Sequence, residues 1–379
     1  MPSFEMITPV TDAHLAEARE GLGREVRFEG WNREATWDTI RHYAWGIGDD
    51  NPLWCDPEYA RTTRYGDLIA PPTFLYSICD AACAPGLVGL QPVYAGAKWD
   101  FYLPVRRGDA LTFRAVYSDA DEVTGKVGGR MILQWCDVDY FNQGGEKVGH
   151  VRSGTWRLAR AGAEGGLKYE PRARHVYTPE EWQAVEAGVR GEVRRGAEPR
   201  YYEDVGVGEE ITPVVKGPID RIAMTAYYAG VVGTSGYKGV ELRWKNWILA
   251  REQPETLPDN YDVSYFREIV SPSAGHQDDD VARDIGMPGA YDNGPQRLGW
   301  MAHLVTNWAG DHGWLRHLDV QVRRPNLFGD TTWCRGRVVD KRVAEDGDHL
   351  VQLDLWAENQ LGQRNTVGSA LVQLPSHSA

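Results

Sequence analysis

Two stretches of the chain hold residue types suited to acid–base chemistry. The first is Gly48-Asp49-Asp50-Asn51-Pro52-Leu53-Trp54-Cys55-Asp56 and the second is Ser271-Pro272-Ser273-Ala274-Gly275-His276-Gln277-Asp278. An imidazole such as that of His276 takes or gives a proton near neutral pH. A buried or helix-capping histidine is the structural alternative at that position. Asn51-Pro52 reads as a helix-ending turn, which explains Asp49 without chemistry. Asp56 and Asp278 stand two residues after Trp54 and His276, where a turn or helix-cap role suits both. Asp279 and Asp280 read as a solvated acidic edge, because no second histidine lies nearby to complete a metal site. Arg106, Arg107, Arg323 and Arg324 flank repeated Gly-Asp turns and are candidates for binding phosphates, with surface solubility as the plainer reading. Cys79 and Cys83 have i,i+4 spacing but no partners at zinc-ligand spacing, so the five cysteines read as reduced, buried thiols. There is no Gly-rich nucleotide loop, and no G-x-S-x-G elbow.

The elements that must position these residues occur twice. His42-Tyr43-Ala44-Trp45-Gly46-Ile47-Gly48 parallels Tyr227-Tyr228-Ala229-Gly230-Val231-Val232-Gly233 at an offset of 185, whereas Ala60-Arg61 parallels Ala282-Arg283 at 222 and Gly108-Asp109 parallels Gly329-Asp330 at 221. The second copy therefore carries an insert of about 37 residues, near 234–271. In each copy a helix comes first, with Trp37, Ile40, Ala44 and Ile47 at helical spacing, followed by a loop and a longer apolar helix. In copy two that second helix begins near Gly294, with Leu298, Met301, Leu304 or Val305, and Trp308 on one face. Four strands follow, predicted near 93–105, 111–118, 130–141 and 147–158, and again near 317–324, 331–341, 349–357 and 365–374. The copies span 20–158 and 201–376, and the linker between them (159–200) is polar. Thr178-Pro179-Glu180-Glu181 within it is a helix start, so the linker is expected to be partly helical. The fold class is α+β: two antiparallel sheets, each wrapped round a central helix, joined at their edge strands as a covalent pseudo-dimer.

Composition narrows the function classes. The 379 residues are 42% hydrophobic and 25% charged, an ordinary globular balance, and the net charge is −13. An acidic chain is repelled by phosphate backbones and anionic lipid, so neither nucleic acid nor a membrane surface is expected as a partner. No apolar run is long enough to span a bilayer and the N-terminus lacks signal-peptide features, which predicts a cytoplasmic protein. Exposed sheet surface leaves room for a homodimer. No cofactor is expected. Most of the 15 tryptophans read as core, and some are candidates to line a pocket for a bulky group.

The run from Gly48 to Asp56, with Ala60 after it, resembles the G-D-x-N-P-(L/I)-H-x-D…A signature of the MaoC-like, (R)-specific enoyl-thioester hydratases, which have the hot-dog fold. Ala70-Pro71-Pro72-Thr73-Phe74 is similar to the N-terminal half of fused, two-hot-dog dehydratases of the fatty-acid-synthase type. Tyr201-Tyr202-Glu203-Asp204-Val205-Gly206-Val207-Gly208 also looks like that family. The resemblance implies a double hot-dog fold and addition or removal of water at an enoyl or 3-hydroxyacyl thioester, with acyl-CoA or a carrier-bound thioester as substrate.

In that family a histidine and an aspartate polarise the water, and the enolate-like thioester oxygen needs N–H donors at the start of the central helix. The family histidine falls on Trp54 in copy one and on His276 in copy two, and the first central-helix residue falls on Pro72 and Gly294. Proline has no N–H to donate, whereas glycine has one and lets a ligand come close. The catalytic candidates are thus His276 and Gly294. Asn293 and Arg297, which flank the helix start, are the substrate-binding candidates, Arg297 either for a phosphate or carboxylate or as the partner of a local acid. Asp49, Asn51, Trp54 and Asp278 read as vestigial or structural. The chain departs from the pattern in one respect: the family aspartate is Asp49 in copy one but Ser271 in copy two. An acid of the insert, such as Asp262, is one replacement. Ser271 or water alone is another. Copy one would then wall the acyl or pantetheine chain. Two further readings stay open, thioester hydrolysis on the same fold and a non-catalytic acyl-thioester binder.

Overall fold

The computed structural model describes residues 9–82, 85–87, 90–125, 129–159, 172–231, 238–259, 272–284 and 286–378. Ser271 and Asp262 lie outside this set, as does much of the insert. The helices are α1 (Asp12–Glu20), α2 (Trp37–Gly46), α3 (Pro52–Cys55), α4 (Pro57–Arg61), α5 (Pro179–Arg190), α6 (Arg221–Val231), α7 (Val240–Glu252), α8 (Asp279–Asp284) and α9 (Gly294–Ala309). The strands are β1 (Gln91–Phe101), β2 (Thr112–Gly125), β3 (Gly129–Phe141), β4 (Lys147–Leu158), β5 (Glu210–Lys216), β6 (Trp314–Val322), β7 (Thr332–Val343), β8 (His349–Asn359) and β9 (Arg364–Gln373). No helix among the described residues is long and apolar enough to cross a membrane.

All nine strands form one antiparallel sheet in the order β2-β3-β4-β1-β6-β9-β8-β7-β5. The two copies meet where β1 pairs with β6, from Gly96 opposite Gln321 to Asp100 opposite His317. Joining the edges there satisfies two rows of backbone groups that would otherwise face solvent. Gly96 is needed at this junction: its φ is +133° and an added Cβ would sit 2.1 Å from the Val320 carbonyl oxygen. Strand β5, which the sequence reading omits, closes the far edge against β7.

Alternation sets which face is buried. In β8 the core side is Val351, Leu353 and Leu355, and Asp354 points to solvent. The repeated Gly-Asp turns take the same form in both copies. Gly108 and Gly329 have φ of +92° and +89°, and the following aspartates accept from the Arg106 and Leu327 amides at 2.8 and 2.9 Å.

The helices on the inner face are not equivalent. Helix α9 is long and almost wholly buried. Its counterpart in copy one is a 3-10 helix, Pro72–Ser77, not the longer helix expected there. The prolines at its start do not account for the difference, since α9 also carries one, Pro295, in its first turn. Helices α2 and α6 cross at glycines. A Cβ on Gly46 would lie 2.9 Å from Tyr227 Cα, and one on Gly230 would lie 2.7 Å from Tyr43 Cα. Within the linker, α5 starts with a capping box: the Glu181 amide donates to Thr178 Oγ1 at 3.2 Å, and the Thr178 amide donates to Glu181 Oε2 at 2.8 Å. The arrangement is the double hot-dog of an α+β pseudo-dimer, with one long central helix in place of two.

The cysteines need one correction. Cys55, Cys79 and Cys334 are free thiols, but Cys136 is disulfide-bonded.

Candidate functional site

His276 ends a short 3-10 helix, Pro272–His276, ahead of α8. Asp278, two residues on, accepts from the Asp280 and Val281 amides at 2.9 and 3.1 Å and so caps α8. This fixes the backbone next to the imidazole. The His276 ring packs 4.3 Å from the Tyr291 ring and 6.3 Å from the Tyr228 ring, centroid to centroid. Its Nδ1 lies 3.1 Å from the Tyr291 carbonyl oxygen. A carbonyl only accepts, so Nδ1 carries the proton and Nε2 presents its lone pair. Among the described residues, no carboxylate pairs with either ring nitrogen. Burial holds the His276 pKa below the ordinary imidazole value, and the Tyr291 carbonyl and Asp292 only partly oppose it. The ring is thus neutral at pH 7, with a fixed tautomer.

The same corner holds the start of α9. Tyr228, which packs on His276, accepts a hydrogen bond from Asn293 Nδ2 at 3.1 Å. Asn293 is the N-cap residue of α9 but makes no side-chain cap, so its amide is used to orient Tyr228. The Gly294 N–H has no protein partner among the described residues, and it sits at the positive end of a 16-residue helix. Tyr94, from β1 of copy one, covers it: a Cβ on Gly294 would meet the Tyr94 ring at 2.5 Å. His276, Asn293 and Gly294 are therefore drawn together by Tyr228 and Tyr291, and copy one supplies one wall.

Arg297 is not among them. It is 2% exposed and forms a bidentate pair with Asp292, with Nη2 to Oδ1 at 2.6 Å. Its Nη1 donates to the carbonyls of Arg324 and Asn365 at 2.5 and 3.0 Å. Asp292 in turn accepts from Asn326. Of the two roles open to Arg297, the structure gives the local acid pair, and the expectation that it binds substrate is corrected: no donor remains to reach a ligand. Of the other arginine candidates, Arg107 pairs with Asp67 at 2.7 Å and Arg106 donates to the Tyr65 carbonyl at 2.9 Å.

In copy one, Trp54 is buried and Pro72 begins the 3-10 helix, so no base and no backbone N–H donor stand at the matching places. A cleft open to solvent lies there, lined by Asn51, Trp54, Pro72, Leu75 and Phe101 from copy one and by Asp311 from copy two, among others. Asn51 caps α3 by accepting from the Leu53 amide at 3.0 Å. Asp49 accepts from the Asn51 amide at 3.0 Å and faces away from this cleft, into a buried polar cluster.

That cluster is the feature the sequence reading misses. His303 of α9 lies 3.5 Å from Asp49 Oδ1, 3.0 Å from Glu192 Oε1 and 2.7 Å from Lys216 Nζ. Lys216, on β5, also donates to the carbonyls of Ile47 and Gly48 at the end of α2. Burial lowers the Lys216 pKa, and Asp49 leads the charges that oppose this. Burial alone would raise Glu192, but His303, Lys216 and Asn307 outweigh it and push its pKa down to about 2. The only hint in the sequence is a polar stripe, Gln296, His303 and Asn307, at helical spacing on an otherwise apolar helix.

Comparison with known proteins follows the same division. Residues 23–151, most of copy one, match the model of the FAS1-like dehydratase domain region. A UPF0336 protein of Streptomyces avermitilis is 34% identical over 135 residues, covering 34% of this chain and 85% of that protein. The chain belongs to the UPF0336 family. It superposes on a MaoC-like dehydratase with a TM-score of 0.65 at 14% identity, covering 95% of this chain and 99% of that one. A conserved hypothetical protein from Mycobacterium tuberculosis, described as a double hot-dog fold, gives 0.52 at 12% identity, over 93% of this chain and 96% of that one. The fold of this UPF0336 member is thus the double hot-dog of MaoC-like dehydratases, and copy one is similar to the FAS1-like dehydratase region.

Proposed function

We propose that the protein is a hydro-lyase that adds water to, or removes it from, an acyl thioester carried by coenzyme A or an acyl carrier, and that copy two does the chemistry. The observation that carries this reading is the His276 Nδ1 bond to the Tyr291 carbonyl. It leaves Nε2 as a base at neutral pH, which is the task the family assigns to an aspartate-supported histidine. A backbone carbonyl takes the orienting part of the aspartate. It cannot supply the aspartate's charge, and an imidazolium formed in the reaction would be stabilised less. In the hydration direction Nε2 takes a proton from water, the oxygen bonds to the β-carbon, and the α-carbon gains a proton. The charge that develops on the thioester oxygen falls to the Gly294 N–H at the start of α9.

The test is an enoyl-thioester panel of varied chain length followed by absorbance, with free thiol measured in parallel. Loss of the enoyl absorbance without free thiol supports the reading. Release of thiol would mean hydrolysis instead. The second reading, a non-catalytic acyl-thioester binder, is favoured by the open cleft of copy one, which has neither of the two catalytic groups. Tight binding with no absorbance change across the panel would establish it.

A further inference from the structure

We propose that Tyr94 of copy one is a positioning residue of the copy-two site, its ring holding the Gly294 N–H where a thioester oxygen needs it. The inference rests on the hydro-lyase reading and adds a residue of the other copy to the groups that reading uses. The start of a helix is commonly fixed by a side-chain cap, and α9 has none, because the Asn293 side chain is bonded to Tyr228 instead. Glycine as the first helical residue adds backbone freedom at the same place. Tyr94 supplies the missing restraint. An added Cβ on Gly294 would meet Tyr94 Cδ1 at 2.5 Å and Tyr94 Cβ and Cγ at 2.8 Å, so no side chain fits there while the ring stays in place. Tyr94 and Gly294 both keep some surface open to solvent.

The ring is itself held. The Tyr94 and Tyr76 hydroxyls share a hydrogen bond at 2.8 Å, and Tyr76 accepts from Trp99 Nε1 at 2.9 Å. Tyr76 and Trp99 are fully buried and meet edge to face, and Trp99 stacks on Phe101 and Tyr140. Tyr76 belongs to the 3-10 helix Pro72–Ser77. The copy-one counterpart of α9 thus carries the anchor for a residue of the other site. The repeat shows that this arrangement is one-sided. The register of β1 against β4 shifts between Tyr94 and Gly96, and that of β6 against β9 shifts between Leu315 and His317. A bulge bends its strand and re-aims the side chain beside it. The two bulges are 221 residues apart, the offset that also relates Gly108 to Gly329, so Tyr94 corresponds to Leu315. Leu315 lines the cleft of copy one with Pro72. There the leucine has no hydroxyl to anchor and the proline has no N–H to hold.

The experiment reads Gly294 directly. Asn293-Gly294 is the only Asn-Gly pair in the sequence, so labelling asparagine carbonyl carbon and glycine nitrogen together singles out this amide by magnetic resonance. Its nitrogen relaxation is measured in the natural chain and in Tyr94→Ala, Tyr94→Phe and Tyr76→Phe, each checked for folding by its melting curve. The order parameter is expected near about 0.85 in the natural chain and below about 0.6 in Tyr94→Ala. Tyr94→Phe and Tyr76→Phe cut the same hydroxyl tie and are expected to fall between, at similar values. On an enoyl thioester that the natural chain hydrates, Tyr94→Ala is expected to lower kcat on the order of tenfold to a hundredfold with KM little changed. The acid limb of kcat/KM should stay in place, because His276 is not touched. A merely structural role would lower the melting temperature and leave the amide as ordered as before in the folded molecules. An order parameter unchanged by Tyr94→Ala overturns the proposal, as does an amide already mobile in the natural chain, or a loosened amide with kcat unchanged. A natural chain that hydrates no thioester refutes the hydro-lyase reading instead, and the relaxation data alone then decide whether Tyr94 fixes this amide. If Tyr94→Ala does not fold, the two phenylalanine variants decide, and the proposal falls if neither loosens Gly294.

Discussion

Replacing Arg297 with methionine separates a structural arginine from a substrate-binding one. The side chains of Arg297 and Asp292 are 2% and 1% exposed. The substitution leaves a buried carboxylate without its cation and strips a donor from the carbonyls of Arg324 and Asn365. Breaking a buried pair on one side costs about 3–5 kcal/mol, because the remaining charge stays desolvated. For a unit the size of copy two this lowers Tm by roughly 6–20 °C. Thermal unfolding followed by circular dichroism measures it. Arg27→Met is the comparator: that arginine pairs with Asp259 at 3.0 Å but is 56% exposed, and its loss is expected to cost under about 1 kcal/mol. Arg297→Lys should fall between, since an ammonium cannot make the bidentate fork. If Arg297→Met matched Arg27→Met in stability and instead weakened thioester binding, the assignment of Arg297 to the core would be wrong.

Four further outcomes are expected. The acid limb of kcat/KM for hydration should have its midpoint below pH 6.5, because burial depresses the His276 pKa and the base is lost only when that lowered value is crossed; a limb above 6.5 would exclude His276. Glu192→Gln should cost stability at neutral pH and little near pH 2. A carboxyl lowered to about 2 stabilises the fold fully above its ordinary range near 4.5, and that contribution fades as pH falls toward 2; acid titration of unfolding checks it. Gly230→Ala should destabilise by about 1–3 kcal/mol, because the new methyl meets the α2 backbone at 2.6–2.8 Å and the crossing must open; denaturant unfolding reports it. Gly294→Ala should lower kcat by pushing on the Tyr94 ring, and Tyr94→Ala should restore part of the loss, as steady-state kinetics of the single and double variants would show.

Much of the scaffold is legible in the sequence because it is periodic and repeated. The strand β8 shows its buried face through Val351, Leu353 and Leu355, and the β1–β6 junction follows from the need to cover two edges. Pro71-Pro72 marks the start of the 3-10 helix of copy one but not its shortness, since α9 also carries a proline in its first turn. The polar interior is not. Lys216, His303, Glu192 and Asp49 are far apart in the chain and share no motif, and only folding of α9 against β5 and the end of α2 brings them together. Arg297 shows the same limit: a lone arginine at a helix start looks like a ligand hook until Asp292 is seen to hold it. His276 lies between these extremes. The repeat offset places it at the family position, but its orienting carbonyl, Tyr291, is backbone and leaves no signature in residue types.

The central claim is that turnover, where it occurs, depends on the imidazole of copy two and on nothing at the matching place in copy one. The direct measurement is the rate of absorbance loss of an enoyl thioester that the natural chain hydrates, compared in His276→Ala and Trp54→Ala variants whose melting curves show intact folding. The account predicts that His276→Ala falls by two to four orders of magnitude, roughly the worth of a general base, while Trp54→Ala keeps a rate within about an order of magnitude. Full turnover by His276→Ala, or loss confined to Trp54→Ala, would contradict it.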